Sequence, residues 1–493
     1  MRIQFIFMFL AFVPMWWASA QVSVPSGYLQ PLDILNDSTT LALHSSVNSS
    51  TEDAFELLNP QARISFNNTY PRGFNDGPVW KGKGFTTEAH FGFTGKIKAL
   101  SYTFYPVVYY SQNRGALRTP VNPRGNYPYG YQFQVGGGID FVQRYGSDPF
   151  TKFHLGQSEV RLQFGKFISA VSTQNYSVGP SVFNPIILSR QGEGFPHLRL
   201  GTEPLDLQIK DIEFGRLEAN FIVGYLRESD YFDDDSDNDN SYFNALFLAY
   251  TPPFLKNLTL GFNKSLYKQT NRFSSQDLVS VIHVLDTVGP NDQFDQLASA
   301  TAEWRFPDHG FRAYAEFAYN DFGGAYKWIE PEHSRAYTIG FEKESKFKNG
   351  HSLNVIYEHT NLSRNHTYLW RATPPFYIHS VNRQGYTNRG QLLGAGIGPG
   401  SNSDIVLFRY QLSRHNIGLS GQRIEYNKDY FVTNIADRRS HNIEYSLGGS
   451  YQYEFDKVTL RAELVRSKSN NVYYELFVDQ QNFYLSISAK AKL

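Results

Sequence analysis

The last residues of the chain carry its clearest pattern. From Phe483 to Leu493 every odd position is apolar, and the even positions are Tyr484, Ser486, Ser488, Lys490 and Lys492. Successive side chains of a strand face opposite ways, so this stretch predicts one apolar and one polar face. A run of about 10 residues is what a tilted membrane strand needs. The alternation recurs. Val458, Leu460, Ala462 and Leu464 alternate with Lys457, Thr459, Arg461 and Glu463. Phe311, Ala313, Ala315, Phe317 and Tyr319 alternate with Arg312, Tyr314 and Glu316. Val160, Leu162 and Phe164 repeat it, as do Phe85, Thr87, Ala89, Phe91 and Phe93.

Between these runs lie short turn signals, such as Asp308-His309-Gly310 and Lys348-Asn349-Gly350, and long polar, aromatic stretches at 114–131, 231–241, 269–292 and 361–403. Short turns alternating with long loops are the asymmetry of an outer-membrane barrel. At roughly 25 residues per strand plus connection, the chain allows about 16–20 strands. A soluble β-sandwich also alternates. The length of the runs and the Arg and Glu sharing the polar face favour the barrel, with those charges lining a wet interior. The expected fold is therefore all-β, a transmembrane outer-membrane β-barrel of antiparallel strands spanning 81–493.

Composition then makes sense. Mean hydropathy is −0.42, because only every second barrel residue meets lipid. Aromatics reach 16%, with 33 Tyr and 40 Phe, and girdles at the two membrane interfaces would account for them. The 46 basic and 46 acidic residues balance, which argues against a nucleic-acid partner. With no cysteine, disulfide staples, thiolate metal sites and a thiol nucleophile are excluded.

The N-terminus reads as a secretory signal over 1–20: Arg2, an apolar run from Ile3 to Trp17, and the small-residue site Ala18-Ser19-Ala20. Residues 21–80 lack the alternation. They form a small N-terminal segment that either lies on the periplasmic side or plugs the barrel, and they hold one short helical pattern, Thr51 to Leu58, stopped before Pro60.

Catalytic signatures are missing: there is no H-E-x-x-H, no G-x-x-x-x-G-K-[ST] and no G-x-S-x-G. Gly394-Ala395-Gly396-Ile397-Gly398-Pro399-Gly400 is not a phosphate loop, because no βαβ unit surrounds it; it reads as a loop that needs positive φ. The acidic run Asp233–Asn240 fails the calcium-loop spacing and reads as a solvated loop. No enzyme activity, metal or cofactor is expected. Tyr368, Trp370, Arg371, Phe376, Tyr377 and His379 cluster in one long loop. Aromatic faces beside polar hydrogen-bonders suit sugar rings, which makes these six the candidate glycan contacts.

Two stretches are more specific. One contains Gln157, Ser158, Asn175, Gly179, Pro180, Ser189, Phe195 and His197; the other contains Tyr386, Asn388, Arg389, Gly390, Gln391, Gly398 and Pro399. Together they resemble the capsule-assembly Wzi family of outer-membrane proteins, from about Gly77 to the C-terminus. The resemblance implies about 18 strands with periplasmic helices, and a lectin-like role in assembling capsular or exopolysaccharide and attaching it to the cell. It also implies an architectural role for these motif residues, in loops that fill or seal the barrel. The expected partners are capsular or exopolysaccharide, outer-membrane lipid and lipopolysaccharide, and the barrel-assembly machinery during biogenesis. The alternative on the same fold is a porin or substrate-specific diffusion channel.

Overall fold

Alternation becomes a closed antiparallel wall in the computed structural model, which describes residues 21–22, 40–48, 54–119, 129–131, 138–232, 240–282, 294–320, 329–379 and 381–493. The expected signal peptide at 1–20 and the acidic run at 233–239 lie outside the described residues.

The wall strands are β1 (Glu56–Asn67), β2 (Gly84–Ile97), β3 (Leu100–Phe104 and Val107–Ser111), β4 (Phe150–His154 and Glu159–Phe164), β5 (Phe167–Ser172) and β6 (His197–Thr202 and Leu205–Ile209). They continue as β7 (Ile212–Arg227), β8 (Asn240–Thr251), β9 (Leu258–Gln269), β10 (Asp295–Phe306), β11 (Phe311–Asn320) and β12 (Arg335–Lys346). The last six are β13 (Ser352–Asn361), β14 (Asn402–Leu412), β15 (His415–Glu425), β16 (Ile443–Glu454), β17 (Val458–Asn470) and β18 (Gln480–Ala491), which pairs with β1 to close the ring. Among the described residues the wall thus has 18 strands.

Three strands are interrupted where the sequence cannot continue a ladder. Pro106 breaks β3 and Pro204 breaks β6, since proline lacks the N–H that pairing needs. Opposite Pro106, β4 breaks at Gly156 (φ 61°), where a Cβ would stand 2.3 Å from the Tyr105 carbonyl oxygen. Closure gives every wall strand two strand neighbours among the described residues, so nearly all of its backbone is satisfied within the wall, as a membrane requires.

The two faces are those the pattern predicts. On β11, Phe311, Ala313, Ala315 and Phe317 point outward, and Arg312, Tyr314, Glu316 and Ala318 are buried inside. Aromatics gather where strands end in short turns: Trp304 stacks on Phe306 at 5.3 Å, and Tyr453 meets Phe455 at 4.5 Å. This is one aromatic girdle. The interior departs from the wet lumen that the inward charges suggest. It is packed with chain rather than wet, because the connections from the opposite, long-loop end fold inward.

Two N-terminal expectations are corrected. Glu56, Leu57 and Leu58 lie in β1 and not in a helix, so the barrel begins before residue 81. The 21–80 segment also contributes to the plug. Leu43–Ser45 pairs with Tyr176–Val178 inside the lumen, and the Leu41 N–H donates to the Glu218 carboxylate of the wall.

The outer face is not bare either. Across β8 and β9, Tyr242 faces Lys268 and Asn244 faces Leu266 on the outward side. The 3-10 segment Ser275–Ile282 lies over them: Asn244 Nδ2 donates to the Leu278 carbonyl at 2.8 Å, and Lys268 Nζ pairs with Asp277 at 3.1 Å. Polar wall residues are thereby shielded, and Leu278, Val279 and Ile282 are presented outward in their place.

Candidate functional site

Residues 173–196 form the main inward loop, and the wall holds it with side chains that alternation places inside. Arg312 is wholly buried between Glu342 (2.8 Å) and Glu303 (3.0 Å), and its Nη1 donates to the Pro180 carbonyl at 3.1 Å. Two carboxylates then take the loop's amides. Glu358 accepts the N–H of Val182 at 2.7 Å and of Asn184 at 2.7 Å. Glu316 accepts the N–H of Ile186 at 3.0 Å. A buried carboxylate is costly unless its lone pairs are filled, so wall and loop need one another.

A second inward loop packs on the first. Tyr377 donates its hydroxyl hydrogen to the Ile186 carbonyl at 2.8 Å and stacks on Tyr386 at 5.6 Å. The Tyr386 hydroxyl lies 2.8 Å from the Ile187 carbonyl oxygen, and Ser189 Oγ donates to the Gly394 carbonyl at 2.6 Å. Gly398 (φ 91°) and Gly400 (φ 66°) adopt the positive φ expected of that loop.

The motif residues fall where these loops meet each other and the wall. Gln157 Nε2 donates to Asn175 Oδ1 at 3.0 Å, and Ser158 Oγ accepts the Tyr105 N–H at 3.1 Å. The Gly179 N–H donates to Ala42, joining the loop to the N-terminal segment. Phe195 packs on Phe243 at 5.1 Å and on the buried His197 at 5.3 Å. Asn388 Oδ1 accepts the Arg227 N–H at 3.0 Å, and Arg389 pairs with buried Glu193 at 3.1 Å. Gln391 Oε1 accepts the Glu193 N–H at 3.0 Å, and Gly390 accepts from the Val142 N–H. Pro399 accepts from Ser401 Oγ.

The six candidate glycan contacts divide. Trp370 is 77% exposed at the outer rim, with Leu369 and His366 beside it. Arg371 Nη2 pairs with Glu330 at 2.7 Å, and its Nε donates to His333 Nε2 at 3.1 Å. Burial, reinforced by the Arg371 guanidinium, holds the His333 imidazole below its ordinary value, which suits an accepting Nε2. Tyr368 carries the Arg364 guanidinium 4.3 Å over its ring. Phe376 (2% exposed) and Tyr377 (0%) are different: they are core residues of the plug and have no surface to offer a sugar. His379 Nδ1 accepts the Val381 and Asn382 N–H groups, a turn-forming role. Sequence reading missed the anchors Glu316, Glu358 and Arg312. Their only signal was charge on the inward face of a strand, which a wet lumen explains equally well.

A recess of about 290 Å³ lies between the second loop and β15–β18, lined by Tyr70, Trp80, Phe141, Tyr426, Gln422 and Glu444. Arg72 crosses it to Glu444 at 3.1 Å.

No curated protein sequence matches this one. Among solved structures, the chain is similar to Wzi of Escherichia coli, an outer-membrane protein involved in group 1 capsule assembly and described as a carbohydrate-binding β-barrel. That pair shares 12% identity over 89% of this chain and 84% of the other, with a TM-score of 0.60. It is also similar to OccAB4 of Acinetobacter baumannii (13% identity, 90% of this chain and 99% of the other, TM-score 0.38). A third is OccK10 of Pseudomonas aeruginosa (11%, 89% and 98%, TM-score 0.44). The family model for the capsule assembly protein Wzi matches residues 65–482, and the chain, an outer-membrane β-barrel, belongs to that family.

Proposed function

We propose that this barrel is a non-catalytic, lectin-like anchor that holds capsular or exopolysaccharide on the cell surface. The observation that carries the reading is the filled lumen. The wall carboxylates Glu316 and Glu358 bind the backbone of the inward loop. Moving the loop aside would leave those carboxylates and amides without partners in a dry interior. A fixed plug suits a protein that holds a polymer outside, and it opposes the diffusion-channel reading, which needs a conduit. The rim group of Trp370, Tyr368 and Arg371 is the proposed polymer contact, since an exposed indole beside paired charges offers stacking and hydrogen bonds together. The likeness to a carbohydrate-binding barrel of the same family supports the same reading.

On this reading residues 1–20 export the chain, the barrel-assembly machinery inserts it, and lipid and lipopolysaccharide surround its apolar belt. Deleting the gene is expected to release polysaccharide into the medium, with restoration by the wild-type copy. Unchanged surface retention in the deletion strain would overturn the anchor role. Steady open-channel conductance of the purified protein in planar bilayers would favour the porin.

A further inference from the structure

The wall is not equally tall all round. β5 and β6 stop at Ser172 and His197, where the chain between them turns inward. The outer stretch of β4, Phe150–His154, pairs with Val107–Ser111 of β3 on one edge, whereas β5 pairs with the lower stretch, Glu159–Phe164. On the far side β7 runs on to Arg227, beyond Gly224, the last residue matched to β6. A notch therefore opens in the outer half of the wall, and it holds a cleft of about 730 Å³. That is within the range of about 300–1,000 Å³ typical of ligand sites.

The notch has a built floor. Buried Glu193 bridges Lys152 Nζ (2.5 Å) and Arg389 Nε (3.1 Å). The Arg389 N–H donates to the Arg227 carbonyl at 2.6 Å, and the Tyr145 hydroxyl donates to the Arg389 carbonyl at 2.7 Å. With the Arg227 N–H taken by Asn388 Oδ1 and the Tyr225 N–H by the Pro196 carbonyl, the outer edge of β7 is satisfied, so the notch is not a place for an added strand. Aromatic rings line it: Tyr145 contacts both Phe150 (6.1 Å) and Tyr231 (5.8 Å), and Tyr225 of β7 completes the set. Phe221, Val223 and Tyr225 succeed one another on the outward face of β7, which puts the notch at the outer membrane interface, within reach of a surface polymer.

The notch has no excess of positive charge. Around the opening, Lys152, Arg227 and Arg389 stand with Asp148, Glu228 and Asp230, and Glu193 in the floor adds a fourth carboxylate. An anionic lipid headgroup selects a net positive site; this one supplies both donors and acceptors beside aromatic rings. Sugar rings match that, with C–H faces for the rings and hydroxyls for both signs of charge. We infer that the wall notch between β4 and β7 binds an oligosaccharide stretch of the surface polysaccharide, through stacking and hydroxyl hydrogen bonds rather than net charge. This rests on the polysaccharide-binding reading and adds a second contact, separate from the Trp370 rim.

The chain has no cysteine, so one exposed flank position makes a clean probe. Thr151→Cys in the full-length protein would be labelled with a bulky maleimide. The competitor is surface polysaccharide purified from the producing strain and hydrolysed to oligosaccharides. Saturating oligosaccharide is expected to slow labelling about tenfold. Tyr225→Ala with Tyr231→Ala is expected to weaken binding about tenfold, and rising salt to leave the affinity unchanged within about twofold. If oligosaccharide binds the protein but Cys labelling is unprotected, the notch is not the site, and the anchor reading survives. Steep salt dependence would also overturn the inference, in favour of an anionic headgroup. If oligosaccharide does not bind the wild-type protein at all, both readings fall.

Discussion

The carboxylate of Glu358 accepts the backbone N–H of Asn184 at 2.7 Å, fastening wall strand β13 to the inward loop. The same carboxylate takes the N–H groups of Val182 and Phe183 and the Tyr314 hydroxyl. One side chain therefore satisfies three loop amides. Each buried amide left without a partner costs about 1–3 kcal/mol. Glu358→Ala is expected to loosen the plug, to lower the temperature at which the folded band is lost on unheated gels, and to produce steady conductance in planar bilayers. Glu358→Gln keeps one carbonyl acceptor and should lose only about 1–2 kcal/mol, with the lumen still closed. A closed Glu358→Ala barrel would show that Glu316 and Arg312 hold the plug without it.

On the outside of the wall, Asp277 does two things. It pairs with Lys268 at 3.1 Å and accepts the Ser274 N–H at 2.7 Å. Asp277→Ala breaks both, leaving a lysine on the membrane-facing side with no partner from this segment. The expected loss is about 1–3 kcal/mol, with protease cutting within 273–282 that the wild type resists. Asp277→Asn should recover the Ser274 bond and part of the loss. Equal protease resistance in Asp277→Ala would mean that the apolar contacts of Val281 hold the segment unaided.

Exposure separates the two halves of the 368–379 cluster. Trp370, at 77% exposure, supports no core, so Trp370→Ala is expected to change stability by less than about 0.5 kcal/mol. On the polysaccharide reading it should weaken polymer binding about tenfold in a pull-down with surface polysaccharide. Phe376→Ala should do the reverse, costing about 3–5 kcal/mol in the packed plug while rim binding by the folded fraction stays the same. Full polymer binding by Trp370→Ala would remove the indole from the contact.

What the sequence made legible follows the physics of alternation. Period two survives wherever a strand has one face in lipid, so the faces of β11, β17 and β18 could be assigned residue by residue. β1 hid for a local reason. Its register shifts between Leu58 and Gln61, around Pro60, and Leu57 points outward while adjacent Leu58 is buried. The shift leaves Leu58 and Asn59 both buried, so alternation breaks just after the Leu57-Leu58 pair, and that pair reads as a helical turn. The plug was less legible still. Glu358 binds main-chain amides, and amides carry no residue signature. The same blindness sent Phe376 and Tyr377 to the surface, because an aromatic in a long loop looks alike whether it faces solvent or fills the barrel.

Asp429 gives the outer rim a pH dependence whose sign can be worked out. It sits in the helix α1 (Lys428–Asn434), beyond the wall between β15 and β16, and is 5% exposed. Burial pushes its carboxyl up to about 6, against the opposing pull of Arg364, whose N–H it accepts at 2.8 Å. The folded state thus holds the proton more tightly than the unfolded chain, where the value is near 3.8. Below that value both states are protonated and the group costs nothing. As pH rises from about 4 to about 6 the cost grows, and above the folded value it is constant at about 2–3 kcal/mol. Asp429→Asn keeps an acceptor for Arg364 without the buried charge. It is expected to slow amide exchange across 428–434 at pH 7.5 and to leave it unchanged at pH 4. Faster exchange in the variant at pH 7.5 would mean that the ion pair with Arg364, 3.5 Å away, outweighs the desolvation of the carboxylate.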